Sequence, residues 1–201
     1  FRRIIGVVLA PHYSAYSVGQ YLDRARAAAE PHGIEVLGLE SWATEPAFVE
    51  FVAADLQRRL DASPQGTRVF FTAHSLPERI IAAGDRYPDE LRSTAVAVAA
   101  RVGLADDAWE IAWQSAGRTP EPWLGPDVLE VIDRVASDGG TGVVVSAVGF
   151  VADHLEVLYD LDIEAKAHAA RRGLGFERTA CVNDDSEVMG ALARRVTAIC
   201  A

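Results

Sequence analysis

Three consecutive valines, Val143, Val144 and Val145, set the strongest constraint on what this chain can fold into. A β-branched run with no polar interruption belongs to a strand covered on both faces, as in parallel sheets flanked by helices. Around it, Thr141–Ala170 reads as a strand, a glycine turn and a helix, with Gly149 closing the strand and Asp153 placed to cap the helix. The pattern recurs along the chain. Ile4–Ala10, Ile34–Leu39, Arg68–Ala73, Ala108–Gln114 and Phe176–Cys181 read as further strands. Helices are expected from Ser17 or a neighbour to about Glu30, over Pro46–Asp61, from Tyr87-Pro88 to about Val102, over Asp127–Ser137 and over Ser186–Ile199. Strands alternating with helices predict an α/β fold with parallel sheets.

In open α/β sheets, ligands gather outside the carboxyl ends of the strands. The unusual polar residues of this sequence fall there: His12 and Tyr13 after the first strand, His74 after the third, Gln114 and Trp123 after the fourth, and Glu156 one turn into the helix after the fifth. A neutral imidazole at such a place binds a borderline metal such as ferrous iron, or accepts a proton. His74 is the stronger histidine candidate and His12 the weaker; His154 and His168 read as ordinary polar surface.

Glu156, Asp160 and Glu164 recur at i, i+4 and i+8 on a helix that is otherwise mostly apolar. At the α-helical pitch they fall within an arc of roughly 80°, with no Lys or Arg inside it. Two readings stay open: a solvated acidic face, or a row of carboxylates facing a cation. A π-type turn would align the row further.

The net charge of −10 disfavours nucleic acid and anionic membrane as partners, and no apolar run approaches the length of a membrane span. Two cysteines, Cys181 and Cys200, are too few for a disulfide scaffold or an all-cysteine zinc site, and read as reduced thiols. Gly139-Gly140-Thr141-Gly142 precedes its strand, whereas a dinucleotide fingerprint follows one, so it reads as a turn. Asn183-Asp184-Asp185-Ser186 lies before a helix and reads as an N-cap. Residues alone therefore give an α/β protein with a cleft, one or two histidines, a carboxylate row and aromatic walls. They suggest metal handling with proton transfer and name no reaction.

Five blocks carry a resemblance: PHYSAYSVGQY (Pro11–Tyr21), FTAHSLPERI (Phe71–Ile80), GDRYPDEL (Gly84–Leu91), WQSAGRTPEPWLGPDV (Trp113–Val128) and VGFVADHLEVLYDLDIEAK (Val148–Lys166). In order and spacing they resemble the ferrochelatases, and among them the coproporphyrin ferrochelatases of Gram-positive bacteria. The resemblance implies two Rossmann-like, chelatase-type domains with parallel sheets around a porphyrin cleft, the first domain incomplete. Residues 1–50 and 178–201 would belong to the first domain and 51–177 to the second. The chain starts at Phe1 rather than Met, and further sequence upstream is expected.

The activity implied is a lyase reaction of heme biosynthesis, the insertion of ferrous iron into a porphyrin, with coproporphyrin III favoured over protoporphyrin IX. By the same resemblance, His74 and Glu156 are the metal ligands or proton acceptors. Asp160 and Glu164 continue an acidic line toward the surface, and Tyr13, Tyr16, Gln114 and Trp123 line the porphyrin site. Arg86 stands where a proline is common and reads as surface variation. Iron and porphyrin are substrates, and no tightly bound cofactor is expected. Some members hold an iron–sulfur cluster, which needs four cysteine ligands, so none is expected here. A cytoplasmic location and a transient heme-accepting partner are also implied. The alternatives are a cobalt or nickel tetrapyrrole chelatase, and a fragment that binds metal or porphyrin without catalysis.

Overall fold

A computed structural model describes residues 1–200. Its elements run β1 (Arg3–Val7), α1 (Gln20–Ala29), β2 (Glu35–Leu39), α2 (Pro46–Asp61), β3 (Arg68–His74), α3 (Glu78–Ala82), α4 (Tyr87–Val102), β4 (Trp109–Gln114), α5 (Val128–Ser137), β5 (Gly142–Ser146), α6 (Leu155–Val157), α7 (Lys166–Arg171), β6 (Gly175–Arg178) and α8 (Ser186–Cys200). A π turn over Ala15–Gly19 leads into α1, and a π segment over Leu158–Ala165 joins α6 to α7. No helix among the described residues is long and apolar enough to cross a membrane.

All strand pairings are parallel. β1 and β2 form a two-stranded sheet, and the other four strands form a sheet in the order β4-β3-β5-β6. The larger sheet is covered on both faces, as the valine run requires. Val69, Phe71, Ala73 and Val144 join one core with residues of α2, α4 and α8. Phe70, Val143 and Val145 join the other with residues of α5 and of the helix that follows β5. This is the period-two alternation of a pleated strand, and each large side chain buried this way contributes about 1.5–3 kcal/mol. On the smaller sheet α1 lies close, because Gly6 and Gly38 leave room for Leu22. α8 packs against both β1 and β2 and against α2.

Several boundaries differ from the sequence expectation, each for a local reason. β1 stops at Val7 rather than Ala10, because its partner β2 ends with the Val7–Leu39 pair. Likewise β6 stops at Arg178, the last residue paired with β5. Ser14 caps the π turn that leads into α1, its hydroxyl accepting from the Tyr16 N–H, whereas α1 itself begins after Gly19 with no side-chain cap from Ser17 or a neighbour. Helix α3 lies outside the sequence expectation, because a helix of five residues is too short to show a period. After β5, His154 rather than Asp153 caps the helix, its Nδ1 accepting from the Glu156 N–H at 3.2 Å. Asp185 caps α8, accepting from the N–H groups of Glu187 and Val188, so the expected N-cap is found.

Candidate functional site

The site is built where β3, β4 and β5 end side by side. His74 is the last residue of β3 and pairs in register with Gln114, the last residue of β4. Glu156 follows β5, which lies on the other side of β3. Gly149 lets the loop after β5 cross β3 at contact: a Cβ there would lie 2.3 Å from the Cβ of Ala73, and its N–H donates to the Thr72 carbonyl at 3.0 Å. A cavity of about 190 Å³ opens at this point, lined by Ala10, His12, Ser17, His74, Tyr87 and Gly149 among others.

Sequence places the two histidines in the same context; their hydrogen bonds separate them. His74 Nδ1 lies 2.6 Å from the Ser75 carbonyl. A carbonyl only accepts, so Nδ1 carries a proton, and Nε2 is the ring nitrogen with no hydrogen-bond partner among the described residues. His74 is half-buried. His12 is fully buried, and burial pushes its pKa down to about 3. Thr94 donates its hydroxyl to the Ala43 carbonyl at 2.7 Å, so it accepts from His12 Nε2–H at 2.8 Å. His12 is thus a neutral structural group near pH 7 and a poor base.

The helix 155–171 presents longitudinal stripes. Residues four apart lie nearly above one another, because α and π windings deviate from four per turn in opposite senses. The π winding is seen in Lys166 N–H reaching back to the Leu161 carbonyl. Val157, Leu161, Ala165 and Ala169 are buried in the core. Opposite them Leu155, Tyr159 and Ile163 are exposed. Between those stripes run Glu156, Asp160 and Glu164, and none of the three has an ion-pair partner among the described residues. No three His, Cys, Asp or Glu side chains among the described residues group closely enough to hold a metal ion. The carboxylates form a row rather than a chelating cluster.

Two residues that sequence reasoning missed close the row on one side. Ser115, directly after β4, has a left-handed backbone (φ 59°) and donates its hydroxyl to Asp160. Asp127, read only as a helix start, caps α5 and accepts from the Leu129 N–H at 2.8 Å. Its carboxyl is held above the ordinary range, first by burial and then by the negative charges of Glu130, Glu164 and Asp160. A left-handed serine and a carboxyl's neighbours across the fold leave no signal in a single sequence.

The aromatic candidates lie apart from the row. Tyr13 and Tyr16 line a cavity of about 480 Å³, together with Gln20, Glu40, Arg79 and Arg86. Arg86 is therefore not mere surface variation: its guanidinium stacks 4.3 Å over the Tyr13 ring and pairs with Glu90 at 3.0 Å. The Tyr13 loop is docked by Glu90, which accepts from the Tyr13 N–H at 2.7 Å, and by Asp85, which accepts from Ser14 and Ala15 at 2.8 Å each. Two of the resemblance-bearing blocks thus meet in space. Trp123 is half-buried beside the loop after β3: Leu124 N–H donates to the Leu76 carbonyl, and Ser75 donates its hydroxyl to the Leu124 carbonyl. Gln114 is buried instead of standing on an open wall; it accepts from Thr72 at 3.0 Å, and its Nε2 has no partner among the described residues. His154 is the cap described above, and His168 pairs with Asp133 at 2.5 Å.

With this geometry in place, comparison with known proteins is specific. Among solved structures the chain is similar to SirB from Bacillus subtilis with Fe3+, at a TM-score of 0.62 and 13% identity, over 98% of this chain and 71% of that one. That likeness shows a shared chelatase-type fold. The chain is 42% identical to a ferrochelatase of Herpetosiphon aurantiacus over 97% of its own length and 65% of that protein. It is 43% identical to a coproporphyrin III ferrochelatase of Geobacillus kaustophilus (96% and 62%) and 42% identical to a ferrochelatase of Deinococcus radiodurans (94% and 62%). It thus spans somewhat less than two thirds of the length of these curated relatives. The ferrochelatase family model matches residues 1–199, and the chain belongs to the ferrochelatase family.

Proposed function

We propose that this chain carries the metal-inserting face of a ferrochelatase, a lyase of heme biosynthesis that places ferrous iron in a porphyrin. The observation that carries the reading is the pairing of a free His74 Nε2 with an uncompensated carboxylate row that begins at Glu156, both at the carboxyl ends of neighbouring strands. Insertion requires two pyrrole N–H protons to leave and iron to be offered from one face. His74 Nε2 and Glu156 serve as proton acceptors or transient iron ligands, and Asp160 and Glu164 lead the cation in along the row. Tyr13, Tyr16 and Trp123 offer ring faces to the macrocycle, Arg79 and Arg86 offer positive charge to porphyrin carboxylates, and buried Gln114 supports the strand end beneath His74.

Coproporphyrin III is the favoured substrate, supported by the name of the Geobacillus relative; the Herpetosiphon and Deinococcus relatives are named only as ferrochelatases. Residues 1–50 and 178–201 are assigned to a first domain and 51–177 to a second, with α8 returning to β1 and β2. A cytoplasmic site of action, a transient heme acceptor and no resident iron–sulfur cluster complete the proposal. The test is anaerobic metallation. This chain, and the same chain extended to the length of its relatives, are mixed with ferrous iron and either coproporphyrin or protoporphyrin, and the porphyrin absorbance bands are followed. Coproporphyrin conversion that His74→Ala abolishes, with circular dichroism unchanged, supports the reading. Retention of most of the rate in that variant removes His74 from the mechanism. Inactivity of both proteins favours binding without turnover, and conversion with cobalt or nickel alone favours the other chelatase class.

A further inference from the structure

Five carboxylates lie between Asp153 and Glu164, and the fold sorts them into two sets. Arg178, at the end of β6, reaches back to the π segment with a bidentate fork: Nε donates to Asp162 Oδ1 at 2.8 Å and Nη2 to Oδ2 at 2.9 Å. Its Nη1 donates to Asp153 Oδ1 and to the Thr179 carbonyl, both at 2.9 Å. The side chain is only 12% exposed. Asp153 is held from its other side by Asn183, which donates Nδ2–H to Oδ2 at 2.8 Å and accepts the Asp153 N–H at 3.0 Å. Asn183 adopts a left-handed backbone (φ 51°) there. One guanidinium therefore ties a residue just before the helix to a residue inside its π segment, from the sheet.

Resting on the proposed function, we infer that Arg178 is a positioning residue for metal delivery: it holds the π segment in register and takes up Asp153 and Asp162, so that only Glu156, Asp160 and Glu164 are left without a counter-charge. A π segment carries one residue more per turn than the α-helix it interrupts, and it persists where surrounding structure holds it. Relaxation to α winding would open the row from near alignment to an arc of roughly 80° between Glu156 and Glu164. The core stripe fixes one side of the helix; the fork fixes Asp162 on another. Lysine keeps the charge but cannot supply two parallel donors.

The test compares Arg178→Lys, Asp162→Asn and the double variant with the unaltered chain. Iron and porphyrin KM and kcat are read in anaerobic metallation, and cobalt(II) affinity is read by calorimetry, which needs no turnover. Each single variant is expected to raise the iron KM and weaken cobalt binding about tenfold, the equivalent of about 1.4 kcal/mol. Porphyrin KM and kcat stay within about twofold, and the double variant is no worse than the worse single, because both remove one clamp. Unchanged iron KM and cobalt affinity, effects that add in the double variant, or kcat falling in step with the folded fraction at constant KM would each overturn the inference. Absence of metallation by the unaltered chain counts against the proposed function, and the cobalt titration then decides the role of Arg178.

Discussion

Gly149→Ala is the most informative single change. The added Cβ would sit 2.3 Å from the Cβ and 2.6 Å from the Cα of Ala73, and 3.3 Å from the Thr72 carbonyl oxygen. Ordinary carbon contact is at roughly 3.5 Å, so the loop and β3 must part by about 1.2 Å. Ala73 is fully buried in the centre of the sheet and cannot retreat, so the loop after β5 moves instead. Overpacking of this kind costs about 1–3 kcal/mol, which for a chain of this size lowers the thermal midpoint by roughly 2–12 °C. Under the proposed function, the loss of metallation is expected to be larger. The displaced loop leads to Glu156 and leaves a residue adjacent to His74, and a misplacement of about 1 Å costs about a hundredfold in rate. The assay pairs calorimetric melting with anaerobic metallation of coproporphyrin at 25 °C, where the variant remains folded. An unchanged midpoint together with a rate within about twofold of the unaltered protein would refute the claim that Gly149 sets the spacing between the two strand ends.

Leu161→Ala empties part of the buried stripe of the π segment and is expected to cost about 3–5 kcal/mol, read as a drop of roughly 6–20 °C in midpoint. His12 supplies a pH signature. Its folded pKa of about 3 lies below the unfolded 6.5, so the unfolded chain takes up a proton that the folded one refuses, and stability falls as the pH drops through 6.5. Between pH 7.5 and 5 the unaltered chain should lose about 2 kcal/mol that His12→Asn does not lose, measured by urea unfolding; parallel curves would contradict the burial argument.

The centre of the larger sheet was legible, because β3 and β5 carry continuous apolar runs whose burial on both faces needs no knowledge of partners. The cap of α8 was legible too, since Asp185 acts within three residues of itself. What escaped was non-local. Arg178 reaches the π segment at Asp162 from β6, and Ser115 meets Asp160 only once β4 and the helix are assembled. Asp153 looked like a cap because nothing in the sequence announces that Arg178 and Asn183 claim it first. His12 and His74 looked alike because their difference lies in Thr94 and the Ser75 carbonyl, the one far along the chain and the other a matter of backbone direction.

The four-residue repeat of the helix 155–171 bears on how such a chain can change over time. Exchanges within a stripe leave the others untouched, so the acidic row, the exposed apolar seam and the buried seam are free to drift separately. Changes of length are another matter. Loss of Leu158 alone would carry Asp162 and Lys166 into the places of Leu161 and Ala165, both fully buried, and put Leu161 where Asp160 stands. Descendants of this sequence should therefore vary in the letters of this helix and hold its length fixed, with insertions and deletions collecting in the turns on either side.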